Sequence, residues 1–455
     1  MKKYFIFLLL NFFVEGNLFA QKQGNIWHFG KHAGINFNSG NPVAIWSPIL
    51  TAEGCSSICD TSGNLLFSTD GITVYNSIGD TMASGLFGHA SSTQSALIIP
   101  FPMDNSKYYI FTADAQGGSN GICYSVVDMS LNGGLGGLLS LNTQLLTPAC
   151  EKLVAVINTN GTDYWVICHA NPSSEYYAYP ITVSGVGIPI ITQIGLPSNG
   201  GAIIYGYLKC SPNGQKLAAA RWATNQPIEL FDFDASNGIL SNSDTISGLS
   251  SSYCISFSSN SMKLYVSGGN SSPYYIVQYD LTLPNFQNFP YTVTQGNGLY
   301  MGAIQLGPDG KIYCSKYLKN TIAAINNPNL SGAACGYVDS ALFFLPNTLS
   351  ESGLPNFIES YFNKSDSSSE SVSTISSQNN FNLYPNPATN QLTVESEKAI
   401  NAIEITDALG RVQSFKFKVQ RPATQIDIHA LASGIYFIKV YFGDGTMEVR
   451  KFVKE

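Results

Sequence analysis

Short runs of alternating hydrophobic and polar residues recur along the chain from residue 25 to about residue 361. Each run follows a small turn that contains Gly, Asn or Ser, and the alternation is clearest in KLYVSGG and KIYCSK. A period of two is typical of β-strands with one buried face. Asn-Gly and Asp-Gly dipeptides in the turns supply the positive φ that tight hairpins require. The pattern therefore predicts a series of β-hairpins.

The hairpin turns repeat at a regular distance. They lie roughly 42 to 56 residues apart, at Gly63, Asn105, Gly161, Gly214, Asn260 and Gly310. A four-stranded propeller blade repeats at about 40–50 residues, so this spacing predicts a β-propeller. Residues 25–38 and 343–349 would together complete one more blade and remove exposed strand edges. We therefore predict seven blades, with six as the alternative.

The repeat ends where the composition changes. Residues 363–380 are polar and rich in Ser, which predicts a flexible linker. Short strands with closely spaced turns return after it and predict a small Ig-like β-sandwich, so the fold class is all-β throughout. The expected organisation is a signal peptide at 1–20, a propeller at 21–361, a linker at 362–380 and a sandwich at 381–455.

The N-terminus has the features of an export signal. Lys2 and Lys3 precede an apolar run from Tyr4 to Val14, and Ala20 places a small residue before a cut at Gln21. The run of about 11 residues is too short for a membrane span, which needs about 20. We expect cleavage and export, with an uncleaved anchor as the alternative.

The composition favours an extracellular β-protein. Only 12% of the residues are charged, roughly half of the usual share, and the chain contains 42 Gly, 25 Tyr and 26 Phe. The net charge is −7 and no run of Lys and Arg occurs. Binding to nucleic acid needs clustered cations, so we expect no nucleic-acid partner.

The cysteine count bears on disulfides, which exported proteins can form. The cysteines number nine, and an odd number leaves at least one thiol unpaired. We expect one to three disulfides and leave their connectivity open, with Cys55–Cys59 and Cys314–Cys335 as candidate pairs. The cysteines are Cys55, Cys59, Cys123, Cys150, Cys168, Cys210, Cys254, Cys314 and Cys335.

The C-terminal residues carry several motifs in a fixed order: FNLYPNPATNQLTVE (381–395), IEITDALGRVQ (403–413), LASGIYFIKV (431–440) and a basic last strand, VRKFVKE. In order and spacing they resemble the C-terminal sorting domain of the type IX secretion system. The alternative is an ordinary Ig-like domain of a surface protein. The residues that carry the resemblance are Tyr384, Pro385, Asn386, Pro387, Gly410, Gly434 and Tyr436.

This resemblance implies a route and a partner. The type IX machinery would recognise the folded tail at the outer membrane of a Gram-negative bacterium. The protein would then be secreted or held at the cell surface, peripheral to the outer membrane. The repeat region also resembles a group of exported propeller proteins with the same tail, through NIWHFGKHAGINFN, EGCSSICDTSGNLLFSTDGITVYN and HASSTQSALIIP. That second resemblance brings no catalytic residues.

No motif selects a catalytic or metal-binding set. The repeats contain no G-x-S-x-G elbow. His28 and His32 have the i, i+4 spacing of a helical zinc pair, but their surroundings predict strand and turn. DFDASNG (232–238) begins like a calcium loop, yet Ser243 stands where an EF-hand needs an acidic residue. We expect no metal, no cofactor and no catalytic set. The carboxylates considered for glycoside hydrolysis are Glu53, Asp70, Asp114, Glu151 and Glu175.

We therefore predict a noncatalytic binding or adhesion module for glycan or protein ligands, with an exported hydrolase or lyase acting on polysaccharide as the alternative. Aromatic pairs such as Tyr274-Tyr275 predict packing between blades, with stacking on sugar rings as the alternative. Three or more of Glu53, Asp70, Asp114, Glu151, His169 and Arg221 at the channel would favour an enzyme. The candidate ligand-binding residues are His169, Arg221, Asp70 and Glu151.

Overall fold

The computed structural model describes residues 21–269, 273–297, 301–363, 381–396, 398–407, 412–419, 423–442 and 447–455. The expected signal peptide, the linker from residue 364 onward and Gly410 lie outside these residues. The chain divides into two compact units, Met1–Ser367 and Ser368–Glu455. In the described part of the chain, no helix has the length and apolar character that a membrane crossing requires.

Seven antiparallel sheets follow one another along the described residues of the first unit. Six have four or more strands, and the first has three. The strands of the first four sheets are β1 (Ile26–Phe29), β2 (Lys31–Asn36) and β3 (Val43–Leu50); β4 (Ser56–Cys59), β5 (Leu65–Thr69), β6 (Thr73–Asn76) and β7 (Thr81–Ser84); β8 (Ala96–Phe101), β9 (Asp104–Ala113), β10 (Ile122–Asp128) and β11 (Gly137–Leu146); β12 (Ala149–Ile157), β13 (Tyr164–Ala170), β14 (Ser173–Thr182), β15 (Gly185–Val186) and β16 (Ile190–Ser198).

The last three sheets repeat the four-stranded order. Their strands are β17 (Leu208–Cys210), β18 (Lys216–Ala219), β19 (Ile228–Asp234) and β20 (Ile239–Ile246); β21 (Ser252–Phe257), β22 (Lys263–Gly268), β23 (Tyr274–Asp280) and β24 (Tyr291–Gly296); β25 (Met301–Leu306), β26 (Ile312–Lys316), β27 (Thr321–Ile325) and β28 (Tyr337–Phe343). Short 3₁₀ turns occupy Ala115–Gly117, Asn132–Gly134, Gly201–Ile204, Phe286–Asn288, Gly332–Cys335 and Glu359–Phe362.

In the second to seventh sheets, the first strand is mostly buried and the last strand is the most exposed. Each sheet therefore runs from an inner strand to an outer strand, as a propeller blade does. The prediction of a seven-bladed β-propeller is confirmed. The core between the blades is apolar, and fully buried rings such as Trp27, Phe67 and Phe111 fill it.

The first blade is completed by the chain that follows the last one. Lys31 N donates to Leu349 O at 2.9 Å, and Leu349 N donates to Lys31 O at 3.0 Å. The segment that follows β28, residues 344–363, is called here the closing segment. It extends beyond the predicted residues 343–349, because Asn356 N also donates to Cys55 O at 2.8 Å. Asn356 reaches further, since its Nδ2 donates to Leu153 O at 2.9 Å in the fourth sheet. The two ends of the propeller are thus held together, as edge protection requires.

Gln94, just before β8, ties the inner strands of three sheets. Its Oε1 accepts from Leu153 N at 3.1 Å and from Leu208 N at 2.7 Å. Its Nε2 donates to the carbonyl oxygens of the same two residues at 2.9 and 3.1 Å. A single buried carboxamide therefore satisfies four backbone groups, in the middle of β12 and at the start of β17.

The prediction of disulfides is wrong. All nine cysteines are described, and each is buried with a free thiol. Cys55 and Cys59 lie four residues apart on one extended segment, which places their Cα atoms about 13 Å apart. A disulfide spans at most about 7 Å, so this pair has no route to a bond. Cys314 is fully buried in β26, where it packs as a small apolar side chain.

The second unit is a β-sandwich of two sheets, as predicted. Its strands are β29 (Asn382–Tyr384), β30 (Gln391–Glu395), β31 (Ile400–Asp407), β32 (Val412–Val419), β33 (Ala423–Asp427), β34 (Gly434–Phe442) and β35 (Met447–Lys454). One sheet has the order β29-β30-β33 and the other the order β32-β31-β34-β35. Apolar side chains from both sheets, including Leu392, Ile438 and Phe452, form its core.

Candidate functional site

A cavity of about 450 Å³, called here the mouth pocket, lies where the inner strands of the propeller begin. Six of the seven sheets, or the segments beside them, contribute to its wall. Two carboxyl groups line it, from Glu53 and Glu151. Small polar residues and glycines fill the gaps between the larger groups. The aromatic side chains of the wall are Tyr205, Trp222, Tyr253, Tyr274 and Tyr317.

Glu151 is fixed in the pocket by three hydrogen bonds. The inner strand β12 carries it, and only 1% of the residue is exposed. Its Oε2 accepts from Thr93 N at 2.8 Å and from Thr93 Oγ1 at 2.7 Å. Its Oε1 accepts from Gln116 N at 2.7 Å. Burial raises the pKa of Glu151, and these donors oppose the rise because they favour the ionised form.

Glu53 has a different environment. It precedes β4 and is only partly exposed. None of the hydrogen bonds found among the described residues involves its carboxyl group. Burial, and then the negative charge of Glu151, raise the pKa of Glu53 to about 8. The mouth pocket therefore holds one carboxylate that is bound by donors and one carboxyl group that is largely protonated at neutral pH.

The aromatic side chains offer both apolar faces and polar tips. The rings of Tyr205 and Trp222 lie 6.0 Å apart, and Tyr317 is 40% exposed. Tyr253 is 8% exposed and packs edge-on against Tyr207 at 5.6 Å. The hydroxyl of Tyr253 is buried and has no hydrogen-bond partner among the described residues. A buried hydroxyl without a partner is costly, and because this oxygen is buried it is not presented at the surface of the pocket.

Lys152 supports the wall from behind. It is 2% exposed, and its Nζ donates to Ile204 O at 3.1 Å and to Tyr205 O at 2.8 Å. Burial lowers its pKa to about 8. These bonds hold the Gly201–Ile204 turn and Tyr205 in place, so the ammonium group of Lys152 is occupied by carbonyl oxygens.

Of the four predicted ligand-binding residues, only Glu151 lines the mouth pocket. His169 is buried, its Nδ1 lies 3.3 Å from Cys150 Sγ, and burial lowers its pKa to about 3. Arg221 is buried and pairs with Glu229 at 3.2 Å.

Asp70 completes a turn instead. Its Oδ1 accepts from Ile72 N at 2.8 Å and from Thr73 N at 2.7 Å. Convergence of three or more of six named side chains would favour an enzyme. Two of the six, Glu53 and Glu151, line the pocket.

The histidine pair does not converge on one site. His28 Nδ1 lies 3.0 Å from Ser68 Oγ, and His32 Nδ1 lies 3.0 Å from Ser47 O. In the ranges that the structure covers, no three His, Cys, Asp or Glu side chains are grouped so as to hold a metal ion. The absence of a metal and of a cofactor stays a prediction.

Sequence reasoning missed Tyr205, Trp222, Tyr253 and Tyr317. A signal was present in the repeat. Glu53, Glu151, Tyr205 and Tyr253 each precede a hairpin turn of the series by roughly 7 to 10 residues. That position corresponds to the start of an inner strand, so aligning the copies by their turns would have brought these residues to one end of the propeller.

The predicted sorting residues cluster where the first and last strands of the sandwich meet. Asn386 Oδ1 accepts from Val453 N at 2.9 Å, and Asn386 Nδ2 donates to Lys451 O at 3.1 Å. Gly434 begins β34 opposite Lys454. Tyr436 stacks on Phe452 at 5.6 Å.

Tyr384 is 46% exposed, and Pro385 and Pro387 flank Asn386. The motif thus fastens the start of the sandwich to its final strand, β35, whereas Gly410 lies outside the described residues.

A comparison with known protein families finds a match in the second unit of the chain. Residues 382–455 match the model of the "Secretion system C-terminal sorting domain" family, which supports secretion by the type IX system. No curated protein matches the chain.

Three solved structures of similar fold are distant from this chain in sequence. The β-propeller domain of Cps50 (Swd1) from Myceliophteria thermophila is 13% identical, with 65% of this chain and 91% of that chain covered and a TM-score of 0.41. The hydrazine synthase of Kuenenia stuttgartiensis is 12% identical, with 70% and 98% covered and a TM-score of 0.42. The periplasmic gluconolactonase PpgL of Pseudomonas aeruginosa is 13% identical, with 78% and 93% covered and a TM-score of 0.37. At these scores the likenesses carry no argument about activity.

Proposed function

We propose that this protein is exported by the type IX secretion system and that its mouth pocket binds a glycan without chemical conversion. The observation that carries the proposal is the wall of the pocket, which combines five aromatic side chains with the carboxyl groups of Glu53 and Glu151. Flat apolar faces fit the C–H faces of sugar rings, and carboxyl oxygens accept hydrogen bonds from sugar hydroxyls. Ligand sites commonly pair an apolar wall with a few placed polar groups.

The proposed route uses both ends of the chain. Residues 1–20 direct the chain across the inner membrane and are removed before Gln21. Residues 381–455 then bring the folded protein to the outer membrane, where it is released or stays attached to the cell surface. In this scheme residues 21–361 form the ligand-binding propeller and residues 362–380 connect it to the sorting domain.

A glycan array probed with residues 21–455 tests the binding proposal. We expect selective binding, and we expect Trp222→Ala to weaken it at least tenfold because Trp222 lines the pocket. Trp46→Ala is the matched control, since Trp46 is 55% exposed on β3, outside the pocket. The proposal fails if no glycan binds, or if both variants weaken binding equally.

An exported hydrolase or lyase is the second candidate. Its support is the contrast between Glu151, which is held by three donors, and Glu53, whose raised pKa suits a general acid. Incubating the protein with polysaccharides and measuring new reducing ends tests it. Release of oligosaccharides that Glu53→Gln abolishes would establish catalysis and overturn the noncatalytic proposal.

A further inference from the structure

We propose that a protein of the type IX secretion machinery recognises the sorting domain through the solvent-facing side of its four-stranded sheet. This inference rests on the proposed export route and names the surface that acts in it. The surface, called here the recognition face, is presented by β34 and β35 and consists of Ile435, Phe437, Lys439, Val449 and Lys451.

Alternation along β34 divides its side chains between the core and the recognition face. Ile435 is 48% exposed and Phe437 is 36% exposed, whereas Tyr436 between them is buried in the core of the sandwich. On β35, Val449 is 43% exposed. Phe437 lies opposite Lys451, which is two residues from Val449. Three exposed apolar side chains therefore share one face of two neighbouring strands.

The other sheet of the sandwich provides an internal comparison. Its strands β30 and β33 alternate in the same way, and Leu392 and Ile426 face the core. The outward positions of these two strands are mostly polar, as is usual for a sheet that faces water. Exposed apolar patches mark interaction sites, so the recognition face is the side of the sandwich that a partner covers. The outward polar residues of the comparison sheet are Gln391, Thr393, Glu395, Gln425 and Asp427.

The edge of β35 is already occupied beside the recognition face. Asn386 bonds Val453 N and Lys451 O through its side chain. Ala388 N donates to Val453 O at 2.8 Å, and Glu455 N donates to Ala388 O at 2.9 Å. These bonds use outward main-chain groups at the C-terminal end of β35, which a partner would need in order to add a strand there. Side chains of the face are left for recognition.

The charges of the face indicate the chemistry of the partner. Lys439 pairs with Glu404 at 2.9 Å. No ion pair found among the described residues involves the ammonium group of Lys451, which stands opposite Phe437. A partner with an acidic group beside an apolar site would therefore pair with Lys451 and cover Phe437 together.

A protein partner fits this face better than a second copy or a membrane does. A two-fold dimer sets the same patch against itself, so it offers Lys451 no acidic group from the recognition face. Anionic lipid surfaces are bound by clusters of about four to eight cations, and the face has two, of which Lys439 is paired.

Replacing both Ile435 and Phe437 by serine tests the face in a bacterium that carries the type IX system. We expect the fraction of protein at the cell surface to fall by roughly fivefold or more, with the remainder in the periplasm. The matched control replaces Val183 and Ile188 by serine, because they are 64% and 89% exposed in the propeller. Thermal unfolding of purified residues 21–455 checks that each variant folds.

Lys451→Glu tests the charge separately from the apolar patch. It should also lower surface display, because it sets a negative charge against the acidic group of the partner, whereas Lys451→Arg should keep display near the wild-type level. This single exposed substitution decides the question if the double serine variant does not fold. Normal display of Lys451→Glu would overturn the inference.

A photoreactive benzoylphenylalanine in place of Phe437 identifies what covers the face. We expect light to link it in living cells to an outer-membrane protein of the type IX machinery, and the same group in place of Thr393, on the polar sheet, to give no such product. A product with a second copy of the chain, or with lipid alone, overturns the inference.

The outcomes separate this inference from the proposed route. Normal surface display of a chain that lacks residues 381–455 overturns both. If that truncated chain stays in the periplasm while the folded double serine variant is displayed like the wild type, the route stands and the recognition face is wrong.

Discussion

Lys209 Nζ lies 2.6 Å from Glu359 Oε1, and both side chains are buried. Lys209 belongs to β17, in the fifth sheet, whereas Glu359 comes after the last blade. Gln305, on β25, accepts from Lys209 at 2.5 Å and donates to Glu359 at 3.2 Å. This network holds the closing segment against the inner strands, immediately before the chain continues towards the sorting domain.

Replacing one partner of this pair should destabilise the propeller strongly. Glu359→Ala leaves the ammonium group of Lys209 buried without a counter-charge, which costs about 3–5 kcal/mol. Urea unfolding of residues 21–455 measures the change. Lys216→Ala is the control, because Lys216 and Asp232 form an exposed pair 2.7 Å apart that contributes at most about 1 kcal/mol. Equal losses in the two variants would contradict a buried, paired role for Glu359.

Glu53 should make stability depend on pH. Its pKa is raised to about 8, so the native state holds a proton that the unfolded state releases near pH 4.5. Between these values the native state binds more protons, and its stability falls as the pH rises, by up to about 1.4 kcal/mol per pH unit. Partial exposure of Glu53 lessens the pKa shift and so narrows the pH range over which stability falls.

Glu53→Gln removes this ionisation. The variant should therefore unfold at a higher temperature than the wild type at pH 8 and at a similar temperature at pH 4. Melting curves at pH 4, 6 and 8 measure the difference, with Glu175→Gln as the control. A constant difference at all three values would show that Glu53 does not titrate as described.

The repeat pattern predicted the seven blades, and the short strands after the linker predicted the sandwich, because hairpin turns and alternating strands are local in sequence. The residues of the pocket were harder to predict from the sequence. Tyr205 and Tyr253 belong to different blades, and only the curvature of the propeller brings them together. Gln94 was missed for the same reason, since its four backbone partners lie more than fifty residues away.

His169 and Arg221 show a second feature that the sequence pattern left open. Both are polar residues in or beside strands, which suggested a channel position. His169 packs at 4.2 Å against the ring of Tyr176, and Arg221 donates to Pro197 O at 2.9 Å. The direction in which a side chain points depends on strand register and twist, and sequence alternation alone does not fix which face of a blade turns toward the channel.

The free cysteines give a direct chemical prediction. After denaturation without reductant, a thiol reagent should label nine cysteines per chain, and before denaturation it should label few, because all nine are buried. Burial raises the pKa of Cys168, Cys210 and Cys314, which further slows their reaction. A reductant should leave the melting temperature unchanged. Labelling of seven or fewer thiols in the denatured chain would show that disulfides form.

The sorting domain should decide where the protein goes. We expect a chain that lacks residues 381–455 to remain in the periplasm, since the family match at residues 382–455 places the secretion signal there.

Asn386→Ala is the finer test, because Asn386 bonds both Val453 N and Lys451 O and so fastens the motif to β35. Loss of these two hydrogen bonds releases the motif from β35, so we expect a smaller fraction of the protein at the cell surface. Gln425→Ala is the control, since Gln425 is exposed on β33 and lies outside the motifs that carry the resemblance. Fractionation and surface immunolabelling measure the distribution, and normal display of the truncated chain would refute the sorting assignment.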